Sequence, residues 1–359
     1  MDAADGVPVR RRGPARRSGG RATIADVARR AGVSKATVSR SLNAPDSVHP
    51  ETRDHVLAVV DELGFAPNLN ARSLTTGRTL VVGVVLSDIQ VPFFTSVGRA
   101  IQNVAHEGGY LTLLGNSDER PEVEDELVRA FAARMVDGLI VTPAAGDNAA
   151  LRQVARSVPV VTLDRIVQGV PGARIVSDNH AGALNASRHL LGLGHRKIAY
   201  LSSPLNKSSA VERYRGYRDA LEEAGIAFDP RLLRAGTYDV DTVARETTAL
   251  LTEHRPTAVL TSEASVTMGA LRAAQALGLR VPEDLSVLGF DALELTTPEL
   301  TVVLQDTERL GAEAMRRLMR RIDARAGGLD GGDGVDVVRV PTRLIVRDSC
   351  APPPPVAAL

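Results

Sequence analysis

From residue 80 onward, short apolar runs alternate with longer segments whose apolar positions recur every three or four residues. The runs are Leu80–Leu86, Tyr110–Leu114, Gly138–Thr142, Pro159–Leu163, Lys197–Leu201, Thr257–Thr261 and Leu285–Phe290. Each is rich in Val, Leu and Ile and bounded by Gly, Pro, Asn or Asp. Between them lie amphipathic stretches such as Glu122–Met135 and Val211–Ala224. This alternation predicts βαβ units and parallel sheets buried on both faces. Seven such strands over about 270 residues exceed one compact sheet, so two α/β lobes are expected. Ligands of such sheets sit at the carboxyl ends of the strands, which makes a cleft between lobes the natural binding site.

The first 80 residues follow another pattern. Residues 1–21 hold Arg, Gly and Pro with almost nothing apolar, and read as a disordered basic tail; Arg10-Arg11-Arg12 and Arg16-Arg17 offer nonspecific phosphate contacts. Three short helices are predicted next: Ile24–Ala31, Lys35–Asn43, and about Glu51–Leu63 with Val56, Val59, Val60 and Leu63 at helical spacing. Gly64 stops the third. Pro67–Leu74 then leads to Thr75-Thr76-Gly77, a linker. The C-terminal stretch from Ala351, with its four prolines, cannot form a helix, and no heptad array is present to build a coiled coil.

Charge sharpens this division. The chain is neutral overall, yet residues 1–80 carry 13 basic against 8 acidic residues, leaving the remainder acidic by the same margin of five. A basic module on an acidic body points to a polyanion partner for the first part only. The hydrophobic fraction of 44% is that of a chain with a large core, and Cys350 is the sole cysteine, which excludes internal disulfides and cysteine-based zinc sites. No stretch approaches a membrane span, and the basic N-terminus lacks the apolar segment of a secretory signal, so a cytoplasmic location is expected. A secreted sugar-binding or transport protein, which would share a two-lobe body, is disfavoured because it would need such a signal and would not carry a helix-turn-helix. An α/β enzyme is disfavoured too. There is no Gly-x-Gly-x-x-Gly after the first strand, no Gly-x-x-x-x-Gly-Lys, and no Gly-x-Ser-x-Gly. The seven histidines are scattered without metal-ligand spacing, and neither cofactor nor metal is expected.

The residues most informative about chemistry run from Thr23 to Asn43. Ile24, Val27, Ala28, Ala31, Val33, Val38 and Leu42 recur with the spacing that packs two helices at a steep angle, and Ala28 is small where the second helix must approach. Gly32 suits a turn position needing positive φ. Ser34 is a good N-cap, and with Thr37 and Ser39 it leaves hydroxyls near a helix N-terminus whose free N–H groups favour phosphate. Lys35, Ala36 and Arg40 then fall on the outward face, within reach of base edges. The coincidence of turn glycine, cap, small residue and basic face identifies a helix-turn-helix.

The sequence resembles the lactose/galactose/purine repressor (LacI/GalR) family of bacterial regulators from residue 23 to about 348. The motifs include Thr23-Ile-Ala-Asp-Val-Ala, Gly32-Val-Ser, Thr37-Val-Ser-Arg, Glu51-Thr-Arg, Gly64-Phe-Ala-Pro-Asn and Ala71-Arg-Ser-Leu. Others are Val136-Asp-Gly-Leu-Ile, Gly192-Leu-Gly-His-Arg-Lys-Ile, Arg255-Pro-Thr-Ala-Val, Gly278-Leu-Arg-Val-Pro and Ser286-Val-Leu-Gly-Phe-Asp. The resemblance implies a helix-turn-helix head over 22–66, a hinge helix and linker over 67–79, and a two-lobe periplasmic-binding-protein-like effector and dimerisation domain over 80–348. Lobe 1 is expected at about 80–164 and 306–336, lobe 2 at about 165–305 and 337–348, with a tail at 349–359. It further implies a transcriptional regulator, a repressor in sign, that binds a palindromic operator in double-stranded DNA as a homodimer and responds to a sugar or nucleoside.

By the same resemblance, Ser34, Lys35, Ala36, Ser39 and Arg40 match major-groove positions, and Thr23, Asn43 and Thr52 match backbone contacts. Asn68, Ala71 and Leu74 match a hinge that folds on the operator, with Leu74 wedged between central base pairs. The implied effector contacts are Phe93 and Phe94 as a stacking platform, with Asp164, Arg165, Asn206, Lys207, Arg213, Asp291 and Gln305. The chain departs from the family at one place: after the strand at Thr257–Thr261 the usual Asn-Asp pair is replaced by Glu263-Ala264. This removes the carboxylate of the second position and puts a longer one in place of the amide at the first, so an atypical ligand is expected.

Overall fold

A computed structural model describes residues 22–65, 78–236, 239–291, 299–328 and 336–354. The chain divides into two compact units, Met1–Arg78 and Thr79–Leu359.

In the first unit the three expected helices form as α1 (Ile24–Ala31), α2 (Lys35–Asn43) and α3 (Pro50–Glu62). Each boundary has a local cause. Thr23 accepts from the Asp26 N–H while Asp26 answers with a bond to the Thr23 backbone, a reciprocal capping box that starts α1. Gly32 ends it at φ +67°, where a side chain would strain the backbone. Ser34 Oγ caps α2 by accepting from Thr37 N at 3.0 Å. Pro50 opens α3, and Gly64 at φ +58° closes it with Phe65 N donating to Val60 O at 2.9 Å. The enclosed core is small: Val27, Ala28, Ala31, Val38, Val56 and Val59, flanked by Leu42, Leu63 and Phe65. Val27, Val38 and Val56 have no exposed surface, and each contributes roughly 1.5–3 kcal/mol by burial. Arg30 pairs with Glu62 at 2.8 Å and ties α1 to the end of α3.

The second unit holds two six-stranded sheets. In order of sequence its elements are β1 (Val81–Leu86), α4 (Pro92–Glu107), β2 (Leu111–Asn116), α5 (Pro121–Ala133), β3 (Gly138–Val141), α6 (Ala149–Val154), β4 (Val160–Leu163) and β5 (Ala173–Ser177). There follow α7 (Asn179–Gly192), β6 (Ile198–Ser202), α8 (Ser208–Glu223), β7 (Leu233–Ala235), α9 (Val240–His254), β8 (Ala258–Thr261), α10 (Ala264–Ala276), β9 (Ser286–Phe290) and β10 (Thr301–Leu304). The last are α11 (Thr307–Ala326), β11 (Asp336–Val340) and β12 (Arg343–Ile345). The first sheet runs β11-β5-β4-β3-β1-β2, all parallel. The second runs β12-β10-β9-β8-β6-β7 and is parallel except where β12 pairs antiparallel with β10. Helices cover both faces of each sheet. The first has one core against α4 and α11 and another against α5 and α6; the second packs on α7 with α8 and on α9 with α10.

The seven expected strands are all present, shortened by a residue or lengthened by one or two at their ends. The lobe boundaries are corrected. β5 sits in the first sheet between β4 and β11, and β11 joins it too, so residues 165–177 and 337–340 belong to the first lobe. Arg174 breaks the apolar run of β5 although all five of its residues are buried, and β11 is an edge strand with exposed polar positions. The chain passes between lobes after β5, after β10 and between β11 and β12.

One close approach positions a key side chain. A Cβ at Gly216 of α8 would lie 2.3 Å from the His180 carbonyl oxygen and 2.8 Å from Leu184 N. Only glycine lets α8, which carries Arg213, press against α7.

Candidate nucleic-acid interface and ligand cleft

On the head, Ser34, Lys35, Ala36 and Arg40 are exposed together over the first turns of α2, and Ser39 is half-buried beside them. Arg40 Nε lies 3.4 Å from the Ala36 carbonyl, within the helix face. The N-terminal N–H groups of α2 and two cationic side chains thus share one surface, suited to phosphate and to guanine edges. Thr23 is exposed and Thr52 half-buried. The Thr23 hydroxyl donates to Asp26 Oδ2 at 2.6 Å, which also lowers the Asp26 pKa. Its proton is committed to the cap, so a bond from this hydroxyl to a phosphate requires it to turn away from Asp26. The Asn43 side chain, the hinge residues Asn68, Ala71 and Leu74, and the basic tail of 1–21 lie outside the described residues.

On the body, a cavity of about 500 Å³ lies at the carboxyl ends of both sheets. Eight of the nine expected effector residues line it: Phe93, Phe94, Asp164, Arg165, Lys207, Arg213, Asp291 and Gln305. Asn206 does not. Asn206 is exposed in the turn before α8 and lines a neighbouring cleft with Pro143–Asn148, to which Arg165 and Lys207 also contribute. Phe93 and Phe94 open α4, edge to face at 5.0 Å; both are nearly fully buried in the first lobe's core, so they form wall and core at once.

Each charged group is held by several elements. Arg165 grips Glu119 with two guanidinium nitrogens at 2.5 and 2.9 Å, donates to the Pro143 carbonyl at 2.7 Å, and lies 3.3 Å from Asp164. Lys207, from the second lobe, reaches the same Glu119 at 2.8 Å. Burial opposes the charge of Glu119, but Arg165 and Lys207 outweigh it and hold the carboxyl below its usual range. Burial and the nearby Arg165 push the Lys207 ammonium down. Arg213 donates to Asn179 Oδ1 at 2.7 Å and to the Ser262 carbonyl, and its guanidinium lies 4.1 Å from the Phe290 ring centre. Asp291 accepts two bonds from Gln305 Nε2 at 2.8 and 3.1 Å. Burial raises its pKa against the opposing pull of Arg213 and Gln305. Glu263 is pushed up to about 7, by burial first, against the attraction of Arg213, Lys207 and Arg165.

Glu119 and Asp118 were missed at the sequence level. Their signal was position: both follow a strand's carboxyl end, as Asp164, Glu263 and Asp291 do. Backbone strain marks the same place. Asp118, Glu119, Asp164 and Asp291 all line the cavity in the left-handed region, at φ of +50° to +66°. Such strain costs on the order of 1–3 kcal/mol per residue and gathers where a site must hold a group in a fixed direction.

A helix-turn-helix head joined to a two-lobe body with a charged, hydroxyl-lined cavity defines a ligand-responsive DNA-binding regulator. The comparisons with known proteins agree. Residues 23–68 match the model for "Bacterial regulatory proteins, lacI family" and residues 79–348 that for "Periplasmic binding proteins and sugar binding domain of LacI family". The chain belongs to the LacI family. It is a transcriptional regulator, not an enzyme. The ribose operon repressor of Halalkalibacterium halodurans is 36% identical over 335 residues, covering 91% of this chain and 96% of that one. The Lac repressor dimer bound to operator and the anti-inducer ONPF aligns with a TM-score of 0.80 at 30% identity, covering 92% of this chain and all of that one. The transcriptional regulator CelR in its cellobiose complex aligns at 0.68 and 31%, with the same coverage. No described helix is long and apolar enough to cross a membrane.

Proposed function

We propose that this chain is a cytoplasmic repressor that binds a two-fold symmetric operator as a homodimer and is switched by a sugar or nucleoside in the interlobe cavity. The observation that carries this reading is the convergence of Asp164, Arg165, Lys207, Arg213, Asp291 and Gln305, from both lobes, on one cavity. Lys35 and Ala36 read bases; Ser34, Ser39 and Arg40 complete the major-groove face, and Thr23, Asn43 and Thr52 hold the phosphates. Asn68, Ala71 and Leu74 belong to a hinge of too few turns to be stable alone in water, which makes its folding on DNA a natural switch. In this division the head spans 22–66, the hinge 67–79 and the sensor body 80–348.

The test is selection of the purified protein against a random duplex library, with and without a metabolite mixture. Enrichment of a palindrome with a flexible pyrimidine–purine centre, lost or gained with the mixture, is the expected result. Absence of an enriched site in either condition would overturn the reading.

A further inference from the structure

The charge and hydrogen-bond inventory of the cavity narrows its ligand; the step rests on the function just proposed. Six carboxylates line the cavity against three cations. The cations are already engaged. Glu119 occupies Arg165 from both sides of its fork and holds Lys207 as well, while Arg213 gives Nε to Asn179 and Nη1 to the Ser262 carbonyl and lies over the face of Phe290. Glu119 therefore sits on the paired cations Arg165 and Lys207, the strongest place for a ligand's phosphate or carboxylate, and displacing it would expel one anion for another at no gain.

The acceptor side is the reverse. The Glu263 carboxyl has Ser265 Oγ as a donor at 3.4 Å, and the cations Arg213, Lys207 and Arg165 act on it only through space. Its other charged neighbour is Glu119, of like sign. Gln305 is 3% exposed, and its Oε1 has no hydrogen-bond partner among the described residues. Acceptors in excess of donors call for a ligand that brings donors. Hydroxyls supply them, and an ammonium supplies three.

We propose that the cavity takes a polyhydroxylated ligand bearing a protonated amine, with Glu263 as the ammonium's partner and Glu119 as the built-in anion that excludes phosphorylated ligands. Glu263 lines the cavity just beyond the carboxyl end of β8, so it is the specificity-determining residue.

The experiment is calorimetric titration of the full-length protein at pH 7 with matched triples. The probes are glucose, glucosamine and glucose 6-phosphate; mannose, mannosamine and mannose 6-phosphate; and adenosine, 3′-amino-3′-deoxyadenosine and adenosine monophosphate. At least one amine should bind about ten-fold more tightly than its neutral parent, the worth of one charge-assisted bond, and its phosphate should not bind. Glu263→Gln should erase that ten-fold preference. A neutral or phosphorylated member that binds best, an amine series that does not bind, or a preference that survives Glu263→Gln would each overturn the inference. The comparison within wild-type triples stands even if the variant folds poorly. Operator selection by the wild-type protein is read separately, so a palindrome enriched alongside a best-binding phosphate would sink this inference and leave the regulator intact.

Discussion

Glu119 joins the first lobe to Lys207 of the second, and removing its charge tests that pairing directly. In Glu119→Gln, Arg165 and Lys207, whose side chains are each 7% exposed, lose their shared counter-ion. Breaking a buried pair by deleting one partner costs about 3–5 kcal/mol. Here Glu119 is itself 24% exposed and Asp164 remains 3.3 Å from Arg165, which brings the expected loss to roughly 2–3 kcal/mol. For a body of this size that is a fall in Tm of about 5–10 °C, read by scanning calorimetry of the full chain. Lys207→Met should cost less, about 1 kcal/mol, because Glu119 keeps its bidentate bonds to Arg165. The double variant should lose less than the sum of the singles by at least 1 kcal/mol, since the second change removes a cation the first had orphaned.

The pH dependence has a definite sign. The folded carboxyl of Glu119 lies below its unfolded value of 4.5, so its stabilisation is complete above that pH and is lost as pH falls through the lower folded value. The gap between wild type and Glu119→Gln should thus be constant from pH 6 to 8 and close in acid. Strict additivity in the cycle, or a gap that widens in acid, would refute the assignment of Glu119 as the common counter-ion.

Other consequences are simpler. Lys35→Ala should relax operator preference at one base pair per half-site by about ten-fold; uniform weakening on every operator variant in a binding assay, with a reduced salt slope, would contradict base reading. Gly216→Ala drives a Cβ to within 2.3 Å of the His180 carbonyl, so α8 must shift and carry Arg213 with it; ligand affinity should fall at least ten-fold, and unchanged affinity by titration would show that the helix contact is irrelevant to the site. For Glu263 the sign is opposite to that of Glu119. Its folded pKa of about 7 lies above the unfolded 4.5, so the ligand-free protein should lose stability as pH rises between those values, and Glu263→Gln should remove that loss. Denaturation midpoints at pH 5 and pH 8.5 that differ equally in wild type and variant would refute it.

How much of this was legible in the sequence depends on the range over which each signal acts. The head was read to the residue in α1 and α2, because Gly32, Ser34 and the Val27–Val38 spacing are local instructions that decide local geometry. Strands buried on both faces announced themselves as apolar runs; β5 did not, because Arg174 interrupts it, and β11 and β12, at the sheet edges, carry polar residues that an interior strand excludes. The cleft residues expected from strand ends converged, with Asn206 the exception, because the turn before α8 leaves it exposed. Glu119 was invisible for a different reason. Its partners stand 46 and 88 positions away, and a loop carboxylate gives no pattern until the fold brings them together.

The layout of the cavity also bears on how a ligand can act at a distance. A ligand shifts an equilibrium only by the difference in its affinity for the two states, and a hundred-fold change in operator affinity needs about 2.7 kcal/mol of such difference. A ligand held by one lobe alone would keep its contacts in any lobe arrangement and shift nothing, however tightly it bound. Here the first lobe contributes Asp164, Arg165 and Glu119, the second Arg213, Glu263 and Asp291, and Lys207 already spans the gap to Glu119. Two or three ligand hydrogen bonds that require both lobes at their present spacing would supply the needed difference, at about 1 kcal/mol each. The same reasoning assigns Glu119 a second consequence. Because its pairing with Lys207 holds the lobes together without ligand, weakening it should raise the energy of the closed arrangement and make the operator response more dependent on ligand, which a titration of operator affinity against ligand concentration in Lys207→Met would reveal as a larger ratio between the free and saturated states.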